Sequence, residues 1–113
     1  MVFNDTAYNA RWIGQKKYTT PIIGGYLYKF EIVVTPLAEK EIQIGLWDLG
    51  GSNKLTQVFT DATINKQTLS SLFYAKTNAN NEGFDLFNHT YTSDNSCGIT
   101  IHSMKIEWYG MWK

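Results

Sequence analysis

The chain contains a single cysteine, two prolines and two histidines, and its ten basic and ten acidic residues cancel. The lone Cys97 excludes an internal disulfide and any cysteine-rich metal knuckle. In "SDNSCGIT" it reads as a small residue in a turn entering a strand. A nucleophilic role would need a neighbouring base, and neither His89 nor His102 stands in a recognisable signature; both read as polar fillers of a loop and a bulge. With zero net charge and no basic run longer than Lys16-Lys17, the electrostatic footprint of a phosphate-backbone binder is missing, so nucleic acid is not an expected partner. No apolar run approaches the roughly 20 residues that cross a bilayer, and a membrane is not expected either. The opening "MVFNDTAYNARW" lacks a basic region followed by an apolar stretch, so no secretory signal is expected.

Catalytic signatures are also missing. There is no phosphate loop, nucleophile elbow or zinc motif. A glycoside hydrolase needs two carboxylates at a set separation across the bond. Here Glu31, Glu39, Glu41, Asp48, Asp61, Glu82, Asp85 and Glu107 are scattered with no pair singled out. The expectation is a protein without enzymatic activity, cofactor or metal.

What is present is apolar and aromatic: 43% of the 113 residues are hydrophobic and 18% charged, with four tryptophans and seven tyrosines. A chain of this size forms one domain able to bury roughly two-thirds of its unfolded surface. "YLYKFEIVVT" alternates Tyr28, Phe30, Ile32 and Val34 with Leu27, Lys29, Glu31 and Val33, a period of two that marks a strand with one buried face. Gly24-Gly25 supplies the turn before it. Pro36 ends it, because proline cannot donate to a sheet ladder. "EIQIGLW" repeats the pattern with Ile42, Ile44 and Leu46 inward, and "DLGGSN" breaks it. Since only "PLAEK" separates the two strands, they read as an antiparallel hairpin.

Leu55 to Thr60 and Leu69 to Lys76 read as further strands on their threonine, serine and aromatic content. For Gln67 to Lys76 a short helix is the alternative, since Leu69, Leu72 and Phe73 also fit helical spacing. "FDLFN" makes another short strand. In "ITIHSMKIEW" the pair Ile99 and Ile101 is offset by one position from Met104, Ile106 and Trp108, and a bulge near His102-Ser103 would bring all five onto one face. Trp108 is thereby expected in the core. Gly110 breaks the strand and leaves Trp112 in a tail that alternation does not place. Six or more strands with turns every 8 to 12 residues predict an all-β, two-sheet antiparallel sandwich spanning residues 1–113 as a single domain.

"IIGGYLYKFEIVV", "EIQIGLWD", "LSSLFYAKTNANNEGFDLFN" and "ITIHSMKIEWYG" together resemble, in order, the strand signatures of jelly-roll carbohydrate-binding modules and of related modules in bacteriophage tail and baseplate proteins. The resemblance covers about residues 20 to 109. It implies a jelly roll, an extracellular or virion-surface setting, and binding of polysaccharide or cell-wall glycan. It also implies attachment to a larger multidomain or virion protein. Such modules often hold a structural calcium, which needs six or more oxygens; "FNDT" and "WDLGGSN" offer no acidic cluster of that density.

Sugar rings pack their C–H faces on aromatic surfaces, and their hydroxyls need planar polar partners. Alternation turns Trp47 away from the core, beside Asp48, and places Gln43 on the same face. Tyr74 points outward if Phe73 and Ala75 point inward. Asp85, alternating with Phe84 and Leu86, could supply a hydroxyl partner or be a solvated charge. Trp12, following Arg11, either frames a binding edge or tucks into the core. The candidate carbohydrate-binding residues are therefore Trp12, Gln43, Trp47, Asp48, Tyr74 and Asp85. A structural or oligomerisation module, its aromatic surplus serving as interface, is the alternative. Asn4 and Asn88 each begin an N-x-Thr acceptor triplet.

Overall fold

The computed structural model describes residues 5–18, 22–78, 80–92 and 97–110. Its eight strands are β1 (Thr6–Tyr8), β2 (Trp12–Lys17), β3 (Leu27–Pro36), β4 (Gln43–Asp48), β5 (Lys54–Phe59), β6 (Gln67–Tyr74), β7 (Gly83–Asn88) and β8 (Ile99–Gly110). They form two four-stranded sheets in the orders β1-β8-β3-β6 and β2-β7-β4-β5, with every pairing antiparallel. The result is a jelly-roll β-sandwich, with no helix among the described residues.

The period-two patterns dictate the core. Phe30, Ile32 and Val34 of β3 are fully buried, as are Ile42, Ile44 and Leu46 in and before β4 and Leu86 of β7. One contiguous apolar cluster joins the two inner faces. Gly25 makes the turn before β3 with a φ of 84°, a left-handed value that costs glycine nothing sterically. Pro36 is the last residue of β3, where its missing N–H does least harm. The segment from Gln67 onward is a strand and not a helix. It pairs along eight residues with β3, which places Phe73 on the inner face, stacked on Tyr28 with centroids 6.0 Å apart.

The expected hairpin between β3 and β4 does not form. β3 lies in one sheet and β4 in the other, so the short linker crosses between layers. Leu37 N donates to Gly98 O as the chain leaves the first sheet, and Thr60 N donates to Ile42 O as it enters the second. A short linker predicts nearness, and in a sandwich the sheet opposite is as near as the strand beside.

β8 bulges where the offset required: its register against β3 shifts between Val33 and Val34, which passes over His102. Ile99 and Ile101 are fully buried, and Met104 and Ile106 pack half-buried against the core. Trp108 faces the same way, opposite Tyr28, yet it is 60% exposed and is not a core residue. β8 runs for 12 residues while each strand of the facing sheet has 6. At about 3.3 Å per residue the long strand outreaches its cover. Trp112 and Asn4 lie outside the described residues. Asn88, the other acceptor triplet, is fully buried, its Nδ2 donating to Cys97 O at 2.7 Å, so no glycan could be attached there in the folded chain.

Candidate functional site

The outer face of the β2-β7-β4-β5 sheet collects the chain's chemistry. In β4 the buried positions Ile44 and Leu46 leave Gln43, Gly45 and Trp47 to face outward. In β7 the inward Phe84, Leu86 and Asn88 leave Asp85 and Phe87 outward. Register then assembles rows across the sheet: Trp12, Phe87, Gly45 and Gln57 in one, and Gln15, Asp85, Trp47 and Lys54 in the next. In β2, Ile13 is the residue that fills the core, which turns Trp12 out onto this face, 52% exposed.

Both tryptophans are held by their own indole N–H groups. Trp12 Nε1 donates to Asp85 Oδ1 at 3.0 Å, while Asp85 Oδ2 accepts from Gly50 N at 2.7 Å. Asp85 is only 4% exposed. It is therefore neither a free hydroxyl partner nor a solvated charge, but the bracket that ties Trp12 to the turn after β4. Trp47 Nε1 donates to His89 Nε2 at 3.0 Å. An indole nitrogen can only donate, so His89 Nε2 must carry no proton and His89 is neutral, protonated at Nδ1. Burial, reinforced by the charges of Lys54 and Arg11, holds its pKa below the ordinary value.

Gly45 makes this contact possible. A Cβ there would stand 2.2 Å from His89 Nε2 and 2.9 Å from Trp47 Nε1, so the two rings meet over the space a side chain would fill. Phe87 braces both rings. Its ring lies edge-on to Trp47, with centroids 5.9 Å apart and 70° between planes, and stacks on His89 at 5.8 Å and 17°. Arg11 fixes the segment that carries the histidine, donating through Nη1 to His89 O and through Nη2 to Tyr91 O at 3.1 and 2.9 Å. Next to the rings lies an amide pair: Gln43 Nε2 donates to Gln57 Oε1 at 2.7 Å, and Lys54 Nζ donates to the same oxygen at 2.8 Å. Gln43 retains a carbonyl and Gln57 an amino group as chemistry for hydroxyls.

The structure thus gathers four of the six candidates, Trp12, Gln43, Trp47 and Asp85, on one face. Tyr74 does point outward, as Phe73 and Ala75 are buried, but from β6 of the opposite sheet. Asp48 alternates inward from Trp47 and is 2% exposed. Its Oδ1 accepts from Ser52 N and Asn53 N, both at 2.9 Å, and its Oδ2 from Asn53 Nδ2 at 3.0 Å and Asn80 N at 3.2 Å. Burial pushes its carboxyl up, but these hydrogen bonds outweigh burial and hold it below the ordinary value. Asp48 is a loop clamp and does not stand on the face beside Trp47.

Sequence reasoning missed Phe87 and Gln57, read His89 as a polar filler of a loop, and named Arg11 only as the neighbour of Trp12. Alternation with Asp85 could have found Phe87; nothing local marks His89, whose role depends on a glycine 44 positions earlier, at Gly45. Among the described residues no group of three His, Cys, Asp or Glu side chains converges.

No family model and no curated protein sequence matches this chain. Solved structures share its fold. The C-terminal domain of EclA, a sugar-binding protein, superposes with a TM-score of 0.59 at 18% identity, covering 93% of this chain and 73% of its own. A CBM4 structure gives a TM-score of 0.63 at 10% identity, covering 84% and 61%, and CBM1 of BiXyn10A without ligand gives 0.57 at 18%, covering 91% and 62%. The fold of this chain is therefore that of carbohydrate-binding modules, and the chain spans about three-fifths of the length of the last two.

Proposed function

We propose that this chain is a non-catalytic carbohydrate-binding module whose outer β2-β7-β4-β5 face takes a polysaccharide chain. The observation that carries this reading is the pair of tryptophans, Trp12 and Trp47, held on one face by hydrogen bonds to Asp85 and His89. With the N–H groups engaged, what the rings offer a ligand is their π faces, the surface on which sugar C–H groups pack. Holding them in place before binding removes part of the ordering cost of association. Gln43 and Gln57 stand next to the rings as hydroxyl partners. The fold shared with sugar-binding proteins supports the same reading, and the proposal includes an extracellular or virion-surface setting.

Shallow sugar contacts bury little area, so dissociation constants of roughly micromolar to millimolar size are expected. Affinity electrophoresis against a panel of soluble polysaccharides, followed by calorimetric titration of any hit, tests the reading. Trp47→Ala and Trp12→Ala should each weaken binding tenfold or more, and Tyr74→Ala, on the other sheet, should leave it unchanged. The function is overturned if no glycan binds at millimolar concentration. The site is overturned if both tryptophan variants bind as the parent does.

A further inference from the structure

We propose that the edge of β8 is a homodimer interface on which residues Ser103 to Tyr109 of two copies pair antiparallel about a twofold axis at Ile106. Among the described residues, β1 covers Ile99, Thr100 and Ile101 of this edge. Asp5 takes a φ of 55°, outside the extended range, beside the point where β8 bulges at His102; the Asp5 carboxylate meets His102 Nδ1 there. Beyond the bulge, among the described residues, no strand pairs with the side of β8 turned away from β3. At the opposite edge of the same sheet, Thr56 Oγ1 of β5 and Ser71 Oγ of β6 bond across the two layers. An uncovered stretch of strand presents unpaired N–H and C=O groups, a template for another strand.

Side chains select the second copy as the occupant. A twofold axis perpendicular to the sheet keeps outer residues opposite outer residues, so paired positions must sum to an even number. Centring the axis on residue 105 would set Lys105 against Lys105, and centring it on 107 would set Glu107 against Glu107. Centring on Ile106 sets each Lys105 against Glu107 of the second copy, and opposite charges directly across a ladder are favourable where like charges are not. Lys105 already lies 3.6 Å from Glu31 and 3.8 Å from Glu107 in its own chain, so its ammonium is held over this face of the sheet. On the core side the same register places Met104 against Trp108, and a thioether on an indole is a favourable contact. It would cover Trp108, the most exposed of the large apolar side chains described. The stretch that pairs is regular, bounded by the bulge at His102 and a second register shift at Tyr109.

Such an axis keeps the two β2-β7-β4-β5 faces pointing the same way. If that face binds glycan, as proposed above, the dimer presents two sites to one surface and gains by effective concentration. The dimer itself does not depend on that reading.

Sedimentation equilibrium from about 10 μM to about 1 mM, the range of a small weak interface, should show the average mass rising toward twice the chain mass. Lys105→Glu and Glu107→Lys each set like charges across the axis and should weaken self-association at least tenfold. Mixed together they form only opposite pairs, and should associate with each other. As a second measurement, Ile106→Cys places two thiols at the axis, where oxidation should give covalent dimer well above the yield of Thr68→Cys on β6, at the opposite edge of the sheet; the native Cys97 is buried. A strictly monomeric parent, charge variants that self-associate as the parent does, or a cross-linking yield no higher than that of Thr68→Cys would each overturn the interface.

Discussion

Gly45 and His89 show how single residues shape the proposed binding face. Gly45→Ala drives a methyl group into the space where Trp47 and His89 meet. It should destabilise the fold by about 1–3 kcal/mol, the usual cost of overpacking, and weaken glycan binding tenfold or more, because Trp47 loses its acceptor. Urea unfolding and calorimetric titration check the two effects separately. His89 adds a pH dependence. Its folded pKa lies below the ordinary 6.5, so below that pH the unfolded chain takes up a proton that the folded chain resists. The stability His89 contributes is thus complete above pH 6.5 and lost as pH falls through the window beneath it. Protonated His89 cannot accept from Trp47 Nε1, so glycan affinity should fall across the same window. His89→Gln, which offers Trp47 a carbonyl that does not titrate, should flatten both profiles between pH 7.5 and pH 4.5, conditions centred on the histidine range.

Among the elements, β8 and the loop after β4 behave oppositely. β8 ends beyond the cover of the facing sheet, so Trp108→Ala should cost under about 1.5 kcal/mol in dilute solution. Ile101→Ala, on the same face of the same strand but fully buried, should cost about 2–5 kcal/mol. Thermal unfolding of the two variants side by side decides whether face or position along the strand governs burial. In the loop, the Asp48 carboxylate holds three backbone N–H groups, of Ser52, Asn53 and Asn80. Asp48→Ala removes the charged acceptor of these donors and should cost about 1.5–3 kcal/mol, the range for hydrogen bonds to a charged group. The folded pKa of Asp48 is depressed, so its contribution is present above pH 3.8 and lost as pH falls through the folded value. An acid titration of stability should therefore lose one late step in the variant.

At the scale of the whole molecule, the two sheets share one apolar cluster, with Phe30, Ile32 and Val34 from one side and Ile44, Leu46 and Leu86 from the other. Neither sheet has a second core to retreat to. Unfolding should then be a single transition, with tryptophan fluorescence, which includes Trp12 and Trp47 of the second sheet, and far-ultraviolet dichroism, which reports both sheets, giving coincident curves. Separate midpoints would show that the sheets come apart in stages. The radius of gyration of 13.8 Å is close to the roughly 13 Å expected of a compact chain this long.

The sequence by itself determined what depends on nearest neighbours along a strand. Alternation in β3 and β4 decides which side chains can be buried together, and it placed Gln43 and Trp47 on the outer face without any tertiary information. The one-position offset in β8 required a bulge, and the bulge is there. Only the tertiary structure decided what depends on distance from other strands. Tyr74 and Trp47 both alternate outward, and alternation is blind to the two sheets that send them to opposite sides of the molecule. Trp108 shares a face with Ile101, but the length of a strand in the other layer leaves it uncovered. Asp48 and Asp85 both looked available, and loops distant in sequence took up their oxygens. His89 became part of the site only because Gly45, in a neighbouring strand, leaves room for its ring against Trp47. A side chain's direction is a local property of the backbone, whereas its burial and its partners belong to whatever the fold brings opposite.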